Sequence, residues 1–172
     1  MKVSQLSKDE YNTYFNAYIQ YVDDTWSLTE WLEVSLHEFI KFVQEIPMGK
    51  HDYRYAEGKW TIKDIIQHLI DAERVFNYRA MRISRGDTTD LPGYEQDDYV
   101  VTAKANDRTI QSLLTEMSAL RHATILFFKS LNEDDLLKKG MASGYAVSAR
   151  ALGFLIVGHE KHHINVFQER YL

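Results

Sequence analysis

The stretch SARALGFLIVGHEKHHINVFQER, residues 148–170, decides how this chain folds. Its apolar residues recur at helical spacing, and no proline interrupts them. At 100° per residue, Leu152, Leu155, Ile156, Val166 and Phe167 define one face of a helix running from about Ser148 to Arg170. His159 and His163 fall in the middle of that face, about 40° apart. Side chains four apart on a helix lie one above the other, so both imidazoles point to the same side. A helix with one apolar face must be covered by neighbours, and the rest of the chain has to supply them.

Working outward, helix starts are marked by capping boxes, in which a hydroxyl and a carboxylate satisfy backbone donors reciprocally. Ser7-Lys8-Asp9-Glu10 has this form and predicts a short helix near 8–20. Ser27-Leu28-Thr29-Glu30 predicts a long helix near 27–46. Thr61-Ile62-Lys63-Asp64, a variant of the box, predicts another near 61–84. The segment Arg85 to Gly93 is rich in turn formers and closes it. A third long helix fits about 103–131, with Leu113, Leu114, Met117, Leu120, Thr124 and Phe127 near one face. A short helical piece near 133–139 ends at Gly140, a residue suited to the position after a helix. Met141 to Val147 reads as a loop. Strand signals are weak, because no sustained period-two alternation appears.

Four long amphipathic helices predict an all-α fold, a four-helix bundle with a short extra N-terminal helix, in one domain over 1–172. The connections near 47–60, 85–102 and 132–147 are longer than a minimal up-down bundle needs. They are expected to cover one end of the bundle or to let helices cross over.

Composition narrows the function classes. The chain has no cysteine, which excludes disulfides, thiolate metal sites and a cysteine nucleophile. Net charge is −5 and no long Lys/Arg run appears, which argues against nucleic acid or an anionic membrane as partner. The polar start, Met1 to Glu10, lacks the apolar stretch of a signal peptide, and a cytoplasmic location is expected. No serine sits in a Gly-x-Ser-x-Gly elbow and no Gly-rich phosphate loop exists.

The histidines carry the chemistry. A buried pair of imidazoles needs partners, since an unpaired polar group in a core costs on the order of 1–3 kcal/mol. One metal ion satisfies two rings at once; the competing reading is two core histidines bonded to carbonyls or carboxylates. His68 stands at the border of the apolar stripe of its helix, beside Ala72 and Val75, where a bundle residue can reach a ligand shared with a neighbouring helix. The competing reading is a half-exposed histidine bonded to Asp64 or Asp71. His162 lies on the flank and reads as a supporting or surface residue, while His37, His51 and His122 have weaker cases. A di-iron site would require two Glu-x-x-His motifs, and only Glu160 to His163 supplies one. Asp64, Asp71 and Glu160 point away from these faces by wheel angle, so no fourth ligand is expected. Arg79 and Arg170 could each bind a carboxylate on a cosubstrate, or instead form ion pairs with Glu73 or Glu169. Trp60 reads as a packing anchor.

Several segments together resemble the DinB-like (YfiT-like) superfamily. They are Gly58-Lys59-Trp60-Thr61-Ile62-Lys63-Asp64, His68-Leu69-Ile70-Asp71-Ala72-Glu73-Arg74, Tyr78-Arg79-Ala80, and the loop from Arg85-Gly86-Asp87 to Leu91-Pro92-Gly93. The ending Gly158-His159-Glu160-Lys161-His162-His163 and Glu169-Arg170-Tyr171-Leu172 joins them, as do Glu10-Tyr11 and Tyr18-Ile19. The similarity covers nearly the whole chain, and order and spacing carry it more than any single piece. It implies a four-helix bundle with one divalent metal ion on three histidines, here His68, His159 and His163. Imidazole suits zinc, nickel and iron alike. Some members of the family are S-transferases or isomerases that use a low-molecular-weight thiol such as bacillithiol or mycothiol, and many resemble metal-dependent hydrolases. The leading expectation is transfer of a small-molecule thiol onto an electrophile. The alternatives are hydrolysis by metal-bound hydroxide, or a non-catalytic metal-binding or sensing module. The expected partner is a small molecule, with a homodimer compatible with the many exposed aromatics.

Overall fold

The computed structural model describes residues 1–172. Its helices are α1 (Asn16–Ile19), α2 (Leu28–Glu45), α3 (Ile62–Ser84), α4 (Gln96–Ala103), α5 (Ile110–Lys129), α6 (Glu133–Leu137) and α7 (Ala149–Arg170). The long ones begin where side chains cap them. Glu30 Oε2 accepts from Ser27 N at 2.8 Å, and Asp64 and Thr61 exchange bonds at 2.9 and 3.0 Å. Thr109 Oγ1 accepts from Ser112 N at 3.1 Å, and Ser148 Oγ accepts from Ala151 N at 3.0 Å.

Helices α2, α3, α5 and α7 form the expected four-helix bundle. Both α2 and α3 pack against α5 and α7, so helices successive in sequence, α2 with α3 and α5 with α7, stand diagonally opposite. Long connections are what the two diagonal pairs require, because the segments from α2 to α3 and from α5 to α7 must each cross an end of the bundle. No helix is long and apolar enough to cross a membrane.

Four sequence expectations are corrected. The helix expected near 8–20 is reduced to a 3-10 turn at Thr13–Phe15 followed by α1. Half of the Ser7–Glu10 box forms, Ser7 N donating to Glu10 Oε1 at 2.9 Å, while Glu10 N bonds the Ser7 carbonyl at 3.1 Å and closes a turn; the Glu10 side chain also serves Ser148 and Arg150. The helix expected over 103–131 is divided: Lys104 adopts a left-handed φ of 51°, which ends α4, and α5 starts afresh at the Thr109 cap. The loop expected over Met141 to Val147 is a hairpin of β2 (Lys139–Ala142) and β3 (Tyr145–Ser148), with β1 (Asp90–Leu91) parallel to β2. Its two-residue turn is Ser143-Gly144, with φ of 54° and 78°, the positive pair that suits a tight hairpin. Gly140 therefore lies inside a strand and does not end a helix. A Cβ there would come within 2.7 Å of Ile83 Cγ1, so glycine lets the sheet sit against α3.

The apolar core falls into two clusters separated by a polar layer. Leu32, Ala72, Ile125 and Val157 belong to one cluster, while Leu36, Ile70, Met117 and Phe167 belong to the other. Between them lie Ser35 on α2, Arg121 on α5, His68 and Glu73 near the division on α3, and His159 and Glu160 on α7, all buried. The histidines thus sit near mid-bundle.

The N-terminal segment is tied to the start of α7. Arg150 Nε donates to Glu10 Oε2 at 2.6 Å, Arg150 Nη2 forms a second contact with Glu10 Oε1, and Ser148 Oγ donates to Glu10 Oε2 at 2.7 Å. Burial alone would raise the Glu10 carboxyl. Hydrogen bonds from Arg150, the Ser7 backbone and Ser148 outweigh it and hold the carboxyl down at about 2, against an ordinary 4.5. A carboxyl held low in the folded chain stabilises above its unfolded pKa, and that contribution is lost as pH falls through the folded one. Glu10→Gln is expected to cost on the order of 1–2 kcal/mol near neutral pH. In urea titrations the gap from wild type should be complete above about pH 4.5 and close toward about pH 2. A gap constant across that window would mean that the Glu10 charge does not hold this segment down.

Candidate metal centre

The packing of α3 against α7 brings three imidazoles together. His68 Nε2 lies 3.2 Å from His159 Nε2, and His163 Nε2 lies 3.2 Å from the same atom. One ligand atom from each ring falls within 4.8 Å of the others, and no further His, Asp or Glu completes a larger group. His68 and His159 are buried and His163 is half-buried.

Aromatic rings wall the cluster. Trp60 stands 4.9 Å from His68 between ring centroids, Tyr18 stands 4.9 Å from His159, and Phe76 stands 6.1 Å from His159. Gly158 makes the Tyr18 contact possible. A Cβ at that position would lie 2.5 Å from Tyr18 O, so only a glycine lets the α1 backbone seat on α7.

Burial sets the protonation state. It pushes His68 down to about 4, opposed only by the charge of Asp97. His159 and His163 are pushed well below the ordinary imidazole value by burial, reinforced by their histidine neighbours. All three are therefore neutral at neutral pH, the form that ligates a metal. The protein alone leaves them poorly matched, because one lone pair or one proton on His159 Nε2 cannot serve two neighbouring Nε2 atoms. A cation among the three would satisfy all three Nε2 atoms at once. His163 Nδ1 is buried with no hydrogen-bond partner, so no protein donor at Nδ1 forces the proton onto Nε2, the nitrogen that would ligate. The donor set fits a divalent ion.

A cavity of about 630 Å³ opens beside His163. Trp60, Ile65, Asp97, Val100, Val101 and Tyr171 are among its lining residues, with Arg54, Lys59 and Lys104 contributing positive charge. Three of these, Asp97, Val100 and Val101, come from α4. Sequence reading missed them because α4 has no buried residue and no apolar stripe to mark it.

The remaining candidates fall elsewhere. His162 turns from the cluster and packs 5.1 Å from Tyr18 and 6.1 Å from Tyr21. The alternative partners of His68 are otherwise engaged, Asp64 with Thr61 and Asn106, and Asp71 with Gln67 and Arg74. Glu160 does point away from the histidines, but into the core, where it pairs with Arg121 at 2.9 Å. Glu73 pairs with the same guanidinium and so is not the partner of Arg79. Arg79 instead donates to Pro92 O and Ser143 Oγ. Arg170 is exposed and lies 6.0 Å from the Tyr55 ring centroid. His37, His51 and His122 each contact a backbone carbonyl in their own neighbourhood.

A model of the DinB superfamily matches residues 31–167, which span α2 to nearly the end of α7. The chain belongs to the DinB superfamily. Within it, a relative from Geobacillus thermodenitrificans (strain NG80-2) is 28% identical over 144 residues, covering 73% of this chain and 78% of the relative. That protein is named "Putative metal-dependent hydrolase". Among solved structures, YfiT from Bacillus subtilis superposes with a TM-score of 0.74 at 16% identity, over 95% of this chain and 90% of that one. It is described as "a probable metal-dependent hydrolase with an unusual four-helix bundle topology". At that identity the likeness concerns the fold, and the diagonal placement of successive helices here suits those words.

Proposed function

We propose that this DinB-superfamily protein is a hydrolase that depends on one divalent metal ion held by His68, His159 and His163. The observation that carries the reading is the convergence of three neutral Nε2 atoms within 4.8 Å, beside a cavity large enough for a small molecule. The name of the Geobacillus relative supports it. A divalent ion bound there supplies Lewis acidity and brings the pKa of coordinated water toward neutrality. His68, His159 and His163 would hold the ion through three Nε2 atoms, a set that would not close a four-ligand structural site.

The chain supplies the rest. Asp97 lines the cavity and its charge is felt at His68, which makes it the carboxylate placed to accept a proton. Arg54, Lys59 and Lys104 favour a substrate that carries negative charge. Ile65, Val100 and Val101 offer it an apolar surface. A second reading, transfer of a low-molecular-weight thiol to an electrophile, rests on the room in this cavity for two reactants and on its positive charge. With no cysteine in the chain, the thiol would arrive as a substrate.

The test is turnover of an ester and amide panel, half of it anionic, by protein loaded in turn with zinc, nickel and iron. Hydrolysis of an anionic member that falls at least 100-fold in Asp97→Asn, with metal content unchanged, is the expected result. Consumption of thiol with electrophile, and no hydrolysis, would move the assignment to the second reading. Neither activity in fully loaded protein would leave a binding module.

A further inference from the structure

The chain buries three arginines, and two of them are neutralised. Arg121 pairs with Glu73 and Glu160, and Arg150 pairs with Glu10. Arg79 is 6% exposed and forms no ion pair. Asp90 and Tyr94 act on it only at longer range. Its two hydrogen bonds both leave from Nη2, at 2.8 Å to Pro92 O and 2.9 Å to Ser143 Oγ. These tie α3 to the hairpin turn, and they leave Nε–H and both hydrogens of Nη1 without a partner in the protein, open to whatever fills the space beside them. A guanidinium that is mostly covered and has no counter-charge has lost much of its hydration, and an anion at its open N–H groups would replace it.

The guanidinium borders a cavity of about 340 Å³, separate from the one beside His163. Phe15, Phe76, Val147 and Leu152 make its walls largely apolar, and Tyr14 and Tyr145, both exposed, stand at its rim. Asn12 adds a donor there: its Oδ1 accepts from Tyr14 N at 2.7 Å, which leaves the amide nitrogen free. One positive charge with open N–H groups, the Asn12 amide and the Ser143 hydroxyl, set in a largely apolar wall, complement an anionic head on an apolar body. We propose that this cavity binds a monocarboxylate with an apolar body, its carboxylate on Arg79 and Asn12 and its body against Phe15, Phe76 and Leu152. Phe76 also stands 6.1 Å from His159, so an occupant would rest one aromatic ring away from the histidines.

Octanoate is a suitable probe and octanamide its uncharged counterpart. Calorimetry and chemical-shift titration of the full-length chain should show saturable binding of one octanoate per chain. Octanamide should bind at least tenfold more weakly, and Arg79→Gln should bring octanoate down to that level. Ala146→Trp fills the cavity from its β3 wall while keeping the Arg79 side chain and should abolish octanoate binding, so the inference stays testable where Arg79→Gln fails to fold. Binding should be the same in chelator-treated and metal-loaded protein. Absence of saturable binding, equal affinity for octanamide, or full binding by Ala146→Trp would overturn the proposal. So would a strict requirement for metal, which would assign the acid to the histidine site.

Discussion

Replacing Arg121 with methionine is expected to cost about 3–5 kcal/mol of folding stability at neutral pH, the usual consequence of removing one partner from a buried ionic group. Arg121 is 1% exposed and is the hub of the polar layer. Its Nε lies 2.9 and 3.0 Å from the two Glu73 oxygens, Nη2 lies 2.9 Å from Glu160 Oε2, and Nη1 reaches Ser35 Oγ at 2.9 Å and Leu32 O at 3.2 Å. The guanidinium therefore joins α2, α3, α5 and α7, and methionine replaces none of these bonds. Two carboxylates are then left facing each other in the core. Glu160 is already raised above its ordinary 4.5 by burial, with Arg121 opposing and Glu73 adding to the rise. Without Arg121 it must rise further. A carboxyl whose pKa is raised on folding is destabilising above its unfolded value and harmless below it. The loss should thus be largest at neutral pH and shrink as pH falls toward about 4.5, where Glu160 can take up a proton. Urea midpoints of wild type and Arg121→Met across that range measure it. The combined change Arg121→Met, Glu73→Leu and Glu160→Leu should recover much of the loss, since an apolar set strands no charge. A loss in Arg121→Met that ignores pH and persists in the triple variant would mean that volume, not charge, governs this layer.

That layer also shows where sequence reading succeeds and where it stops. The His159–His163 pair was legible because helical periodicity is local: apolar residues on either side fix the face, and two imidazoles in its middle stand out. The bundle was legible for the same reason, and two of its four helix starts were marked by capping boxes, Ser27–Glu30 and Thr61–Asp64. Wheel angle also turned Glu160 away from the histidines correctly. It could not show that the other side of α7 is buried as well, because that depends on which helices surround it. The Arg121–Glu73–Glu160 group joins three helices whose sequence separations carry no periodic signal. The hairpin was hidden by its shortness, and its one mark was Ser143-Gly144, a two-residue turn with glycine second. Helix α4 failed differently. Lacking an apolar stripe, it looks like part of a connection, yet it lines the cavity with Asp97, Val100 and Val101. Residues that face a cavity leave no burial pattern to read.

Loading the wild-type chain with a divalent metal should raise its stability sharply, and His159→Ala should abolish that response. His159 is the middle of the cluster, with both other Nε2 atoms 3.2 Å from its own. Removing it leaves His68 and His163 on different helices with the shared position gone. A ligand that binds only the folded state stabilises it by RT ln(1 + [L]/Kd), about 4 kcal/mol at a thousand times Kd. In a chain of this size that is a shift of roughly 8–16 °C in Tm at the 2–4 °C per kcal/mol typical of it. A chelator should reverse the shift in the wild type and do nothing to His159→Ala. The comparison that gives the test its force is His162→Ala. His162 is only three residues away and equally able to bind metal in an unfolded chain, but its ring packs between Tyr18 and Tyr21, outside the cluster. It should keep the full metal-dependent shift and one metal per chain by elemental analysis. If His162→Ala lost the ion as completely as His159→Ala, the shared site would not be the one that His68, His159 and His163 form. If neither wild type nor variant responded to metal, the three rings would be a hydrogen-bonded cluster in a polar layer, and hydrolysis would lose its chemical basis.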